Sequence, residues 1–97
     1  MIAATKYIRR AMPAKKPVPL DTYSGRISAR VRELRERLGY TVAELAVRLN
    51  SRLPKSRKIA NSTLHGWDAG TRKVDPDYYP ELAAALQVEV RQLFPAV

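Results

Sequence analysis

The chain has 97 residues, no cysteine, one histidine, and 18 Lys plus Arg against 9 Asp plus Glu, a net charge of +9. That length makes one domain with a core no larger than a small helical unit buries, which excludes enzymes built from two lobes around a cofactor cleft. The lack of cysteine excludes disulfide frameworks and thiolate metal sites and fits a reducing, cytoplasmic setting, and no apolar run approaches the ~18 residues of a membrane span.

Residues 1–25 hold five bases against one acid. Pro13, Pro17 and Pro19 break any helix there, and Lys15-Lys16 between them favour an extended, solvated chain. The expectation is a basic flexible arm over 1–25, with Lys6, Arg9, Arg10, Lys15 and Lys16 available to phosphates, followed by one folded domain over 26–97.

From Arg26 the pattern is helical. Ile27, Val31, Leu34 and Leu38 stack on one face, arginines and glutamates fill the rest, and Gly39 is a left-handed stop, so a first helix is expected over 26–38. The arginines of this helix read as a solvated face paired with Glu33 and Glu36. Thr41-Val42-Ala43-Glu44 is a capping box, in which the Thr hydroxyl accepts from the N–H three residues on and the Glu reaches back. Val42, Leu45, Ala46 and Leu49 then give a second helix over 42–49.

Residues 51–58 break the pattern with Pro54 and four bases, Arg52, Lys55, Arg57 and Lys58. Asn61-Ser62 can cap a third helix in which Leu64 and Trp67 share a face, and Gly70 ends it. Gly66 inside that helix costs about 1 kcal/mol relative to Ala, which points to a close approach at that position. Asp77 can cap a fourth helix with Pro80 in its first turn and Leu82, Ala83 and Leu86 facing inward. Tyr78 and Tyr79 cover the core or a contact with a second subunit. A last short helix over 88–94 is closed by Pro95. No strand of any strength is expected, and the fold class is all-α.

Charge is distributed unevenly. Residues 51–74 hold six bases against one acid, whereas 75–97 hold one base against four acids. The first three quarters of the chain build a positive field suited to an extended polyanion, and the last quarter is left for packing or partners.

Two helices joined by a turn, the second opened by small polar residues and flanked by bases, follow the helix–turn–helix plan. Three stretches carry a closer resemblance: Thr41-Val42-Ala43-Glu44-Leu45-Ala46, Asn61-Ser62-Thr63-Leu64-His65-Gly66-Trp67-Asp68-Ala69-Gly70, and Glu81-Leu82-Ala83-Ala84-Ala85-Leu86-Gln87-Val88 running on to Gln92-Leu93-Phe94-Pro95. In this order, residues 26–95 resemble the Cro/lambda-repressor, or XRE-type, family of helix–turn–helix proteins. The resemblance implies a five-helix lambda-repressor-like domain that binds a double-stranded DNA operator as a bacterial or phage transcriptional regulator, a repressor or Cro-like protein. It further implies dimers on palindromic half-sites, for which the C-terminal quarter is the candidate contact. No cofactor, metal, membrane or small-molecule ligand is expected.

By position, the resemblance puts Asn61, Ser62 and His65 toward the bases and Leu64 and Trp67 in the core. Asn suits the N6/N7 edge of adenine and Ser either a donor or an acceptor. Thr63 falls where a phosphate or a thymine methyl is contacted, and Thr41 where a phosphate is, at the N-terminus of the backbone-crossing helix. Arg52, Lys55, Arg57 and Lys58 in the loop, with Arg72 and Lys73 after the third helix, are the remaining candidates for the DNA backbone. Two departures stand out. About eight extra residues separate helices two and three, and Gly66 sits where the family often carries a long polar side chain able to reach DNA.

Two other readings stay open. One is an antitoxin-like interaction module whose helix–turn–helix serves autoregulation while the C-terminal part holds a partner protein. The other is a single-stranded nucleic-acid binder using Tyr7, Tyr23 and Tyr40 among the bases. An enzyme is not expected, because His65 has only Asp68 one turn away and no nucleophile or phosphate-cradling glycine loop accompanies it.

Overall fold

The computed structural model of the chain describes residues 18–95. Four α-helices follow in order: α1 Tyr23–Arg37, α2 Val42–Asn50, α3 Asn61–Ala69 and α4 Tyr79–Ala85. Three 3-10 helices join or close them, at Lys55–Arg57, Pro76–Tyr78 and Val90–Leu93, and there is no strand among the described residues. The fifth helix expected over 88–94 is therefore a 3-10 turn, too short for α-helical hydrogen bonding. It still delivers Leu93 to the core, fully buried, and the Arg30 guanidinium Nε donates to the Gln92 carbonyl at 2.9 Å to hold it against α1.

α1 starts three residues earlier than the apolar spacing indicates. Thr22 is its cap, with Oγ1 accepting from the Gly25 N–H at 3.0 Å, and Arg26 Nη1 donates to the Leu20 carbonyl at 3.0 Å. The described end of the expected arm thus runs into the domain. Val18 lies against Gly70, where a Cβ would meet its Cγ1 at 2.8 Å. Lys6, Arg9, Arg10, Lys15 and Lys16 lie outside the described residues.

Ile27, Val31 and Leu34 of α1 meet Leu45, Ala46 and Leu49 of α2, Leu64 and Trp67 of α3, Leu82, Ala83 and Ala85 of α4, and Leu86 just after α4 in one core. Leu45, Leu49, Leu64 and Leu82 are entirely removed from solvent, so truncation of any one to Ala should cost about 2–5 kcal/mol. At α2 the capping box forms as its sequence implies: Glu44 N–H donates to Thr41 Oγ1 at 3.0 Å and Thr41 N–H to Glu44 Oε1 at 2.8 Å.

The long connection from α2 to α3 is closed at its base. The Asn50 side chain donates from Nδ2 to the Ile59 carbonyl at 3.0 Å and accepts from the Ile59 N–H at 2.9 Å. Leu53 is buried beneath the loop. Lys58 Nζ donates to the carbonyls of Asn50 and Leu53, at 2.7 and 3.1 Å, which places a cation on the C-terminal carbonyls of α2.

A buried ion pair locks α1 to α3. Arg35 Nε and Nη2 reach Asp68 Oδ1 and Oδ2 at 2.8 and 3.1 Å, and Arg35 Nη1 donates to the Tyr40 carbonyl at 2.6 Å. Arg32 Nε also reaches Asp68 Oδ2, at 3.4 Å. The helix-one arginines are therefore not all a solvated face. Arg30 and Arg37 pair with Glu33 on the surface, but Arg35 points inward, because the carboxylate that matches it comes from another helix.

Candidate nucleic-acid interface

α3 is the helix on which the candidate base-reading residues stand, and its register follows from what it buries. Leu64, Trp67 and Asp68 face inward, with Leu64 at 0 % exposure and Asp68 at 5 %. Asn61, Ser62 and His65 are exposed, Asn61 because it stands in the first turn, beyond the core, and Ser62 and His65 because they turn away from it.

The cap of α3 is not Asn61 or Ser62. The helix begins at Asn61, its cap is Ala60, and no side chain bonds its first turn. The lack of a side-chain cap has a chemical consequence. A capping Asn or Ser would have its oxygen committed to the backbone, whereas here neither Asn61 nor Ser62 makes a side-chain hydrogen bond among the described residues. Both the carbonyl and the NH2 of the Asn61 amide and the hydroxyl of Ser62 are available to an outside partner. Asp77 does not cap the fourth helix either: Asp75 caps the 3-10 helix Pro76–Tyr78, with Oδ1 accepting from the Asp77 N–H at 3.0 Å, and α4 starts after Tyr78 with no side-chain cap. Pro80 sits in the first turn of α4 as expected.

His65 is exposed, and the one carboxylate within a turn of it, Asp68, is turned inward onto Arg35. No acid is left to orient the imidazole as a base. Among the described residues no group of three His, Cys, Asp or Glu side chains is placed to hold a metal, and no helix is long and apolar enough to cross a membrane.

The expected phosphate contacts divide into two kinds. Arg52, Lys55 and Lys73 are exposed and make no ion pair among the described residues. Arg57 and Lys58 are engaged by the protein itself. Arg57 Nη2 donates to the Asp77 carbonyl at 2.6 Å, its Nη1 lies 3.5 Å from Glu81 Oε2, and its guanidinium sits 4.5 Å above the Tyr78 ring. Tyr78 in turn packs on Trp67 at 5.4 Å and donates its hydroxyl to the Arg57 carbonyl at 3.0 Å. The loop is thereby tied to the core and to the start of α4. A shallow groove beside α3 is edged by Lys58, Thr63, Arg72 and Lys73. Thr63 is half-buried and accepts from Arg72 Nη1 at 3.4 Å.

Tyr40 is also occupied: the Arg48 guanidinium lies 4.1 Å above its ring, and its hydroxyl accepts from Gln87 Nε2 at 3.0 Å. Tyr23 remains about half exposed, whereas Tyr7 lies outside the described residues. Tyr79 packs edge-on against Phe94 at 5.4 Å. Burial, followed by the nearby Tyr23 and Asp75, raises the Tyr79 hydroxyl above its usual ionisation range. Leu20, Tyr23 and Phe94 form the exposed apolar residues at this end of the domain, and a groove lined in part by Leu20, Ala29 and Phe94 runs between them.

Sequence reasoning missed the Arg35–Asp68 pair and the Asn50–Ile59 clamp. The signal for the first was present. Asp68 follows Trp67 on the inward face of α3, and a buried carboxylate calls for a cation from a neighbouring helix.

In structure the chain is similar to the restriction-modification controller protein C.AhdI from Aeromonas hydrophila. The two superpose with a TM-score of 0.59 at 30% identity, over 71% of this chain and 92% of that one. No protein-family model and no curated protein matches the chain.

Proposed function

The chain belongs to the XRE-type family of helix–turn–helix DNA-binding transcription regulators, and from that premise we propose that it is a repressor whose α3 lies in the major groove of a duplex operator. The observation that carries this reading is the state of Asn61, Ser62 and His65: exposed on one face of a helix fixed by a buried ion pair, with the polar groups of Asn61 and Ser62 not used within the domain. Unused donors and acceptors on a rigid helix are what a base edge requires. Asn61 reads adenine through N6 and N7, Ser62 accepts or donates beside it, and His65 reaches the next base step.

Grip on the backbone is supplied by Arg52, Lys55 and Lys73, by Thr63, and by the N-terminus of α2 at Thr41. The Thr41 hydroxyl already accepts from Glu44 N–H, and its own proton remains for a phosphate oxygen. Arg57 and Lys58 add positive field from within the loop. Their geometry is set by the protein, so their contribution is long-range rather than by direct contact. The cations of the N-terminal arm, Lys6, Arg9, Arg10, Lys15 and Lys16, extend this grip along the duplex.

Two copies bind together through the C-terminal end. The half-exposed Leu20, Tyr23 and Phe94 supply the apolar surface for that contact, and the half-sites then lie ~34–36 Å apart or a multiple of it. Repression follows from occupying the promoter.

Selection of bound sequences from a random duplex pool tests the whole reading. A palindromic consensus is expected, and Asn61→Ala should lose discrimination at one A·T pair by about 1–3 kcal/mol with its thermal unfolding unchanged. No enrichment, or an equal loss by Asn61→Ala on every duplex, would sink it.

A further inference from the structure

Gly66 lies one turn after Ser62, on the flank of the exposed face of α3, yet it is buried. What covers it is Arg72. A Cβ at position 66 would stand 2.6 Å from Arg72 Cδ, 2.7 Å from Cγ and 3.1 Å from Cβ. The chain reverses at Gly70, where φ is 80°, and the Thr71 and Arg72 N–H groups both donate to the Gly66 carbonyl, at 3.0 and 3.1 Å. Arg72 therefore returns along α3 with its aliphatic stem in the space that a residue-66 side chain would fill. Its guanidinium ends at Thr63, with Nη1 3.4 Å from Oγ1.

This accounts for a glycine in a helix interior, where any residue but proline would make a better helix. It also brings a cation onto the outer flank of α3 without a neutralising carboxylate: Arg72 makes no ion pair among the described residues. Arg35 and Arg57, by contrast, are both held by acids.

We propose that Arg72, seated in the slot left by Gly66, is a specificity-determining residue that reads the O6 and N7 edge of a guanine beside the bases facing Asn61 and Ser62. The proposal rests on the reading of α3 as the groove-facing helix. A guanidinium fork matches the two guanine acceptors, the commonest specific contact in the major groove. The stem lies flat on α3, so the fork is carried toward the groove with the helix and stands beside Thr63, where bases and phosphates adjoin. An ammonium at this position lacks the planar two-donor geometry.

The test uses the full chain and its selected duplex, with every single-base-pair change of that duplex, for the wild type and for Arg72→Ala, Arg72→Lys, Gly66→Ala and the Gly66→Ala/Arg72→Ala double variant. Arg72→Ala is expected to lose about ten- to hundredfold on the selected duplex and its discrimination at one G·C pair alone. Arg72→Lys should retain affinity for unrelated duplexes and lose the same discrimination. Gly66→Ala pushes the flexible Arg72 side chain out of its slot. It should unfold no earlier than wild type, lose the same base pair, and add nothing when combined with Arg72→Ala. Replacing the guanine by 7-deazaguanine should weaken the wild type and leave Arg72→Ala unaffected.

A uniform loss on all duplexes, with the salt slope reduced by about 0.9, would make Arg72 a phosphate contact and overturn the proposal. Discrimination left intact in Arg72→Ala or in Gly66→Ala would overturn it too. A wild type with no preferred duplex removes the reading of α3 itself, and this inference with it.

Discussion

The Arg35 guanidinium and the Asp68 carboxylate meet as a two-pronged pair, at 2.8 and 3.1 Å, with 8 % and 7 % of their side chains exposed. Thirty-three residues apart in the chain, they bind the first helix to the helix that carries Asn61, Ser62 and His65. Removing one partner leaves a buried charge with only longer contacts, Arg32 at 3.4 Å for Asp68 and Glu36 at 3.7 Å for Arg35. Arg35→Ala or Asp68→Ala should therefore lower the unfolding free energy in urea by about 3–5 kcal/mol. The double variant Arg35→Leu/Asp68→Leu should lose less than either single change, because neither charge is then stranded. Single changes costing under ~1 kcal/mol would mean that water reaches the pair.

Asn50 and Ile59 set the base of the loop. Two hydrogen bonds from one side-chain amide to one residue's backbone close the excursion, so its length does not pass into the orientation of α3. Asn50→Ala should cost about 1–3 kcal/mol, as the Ile59 N–H and carbonyl lose their partners. Amide hydrogen exchange at Ile59 should speed up ahead of the core, and equal protection in both proteins would deny the clamp.

The loop bases should separate into two classes. Arg52→Ala/Lys55→Ala is expected to reduce the slope of log K against log salt by about 1.8, two phosphates at ~0.9 each, with unchanged thermal unfolding. Arg57→Ala should lower the unfolding temperature, since its guanidinium bridges to the Asp77 carbonyl, Glu81 and the Tyr78 ring. A slope unaffected by the first pair would place the loop away from DNA.

Deleting residues 1–17 removes Lys6, Arg9, Arg10, Lys15 and Lys16 but keeps Val18 against Gly70 and the Thr22 cap. Helix content by circular dichroism should be retained, while the salt slope falls by between one and about four units according to how many of the cations meet phosphates. Loss of folding would show that this segment belongs to the domain.

Local signals in the chain were strong where each depends on neighbours a few residues apart. The Thr41–Glu44 capping box, the positive φ of Gly39 and Gly70 at 75° and 80°, and the inward stripe through Ile27, Val31 and Leu34 are all readable from spacing alone. Caps with several small polar candidates were not. Asn61, Ser62, Asp75 and Asp77 all have the chemistry of a cap, and only the path of the incoming backbone selects among them. For α3 it selects Ala60, which leaves the polar side chains facing out.

The sequence by itself determined a basic, all-helical helix–turn–helix chain, because helix periodicity, capping and net charge are properties of local order and composition. Only the tertiary structure decided what each charge does. Arg35 is a core residue because Asp68 arrives from another helix. Arg57 and Lys58 serve the loop because carbonyls and the Tyr78 ring converge on them. Arg72 lies on α3 because Gly66 leaves it room. A cation's partner is set by which groups the fold brings within hydrogen-bonding distance, so the +9 of the opening count divides into charges that hold the domain together and charges left for a polyanion.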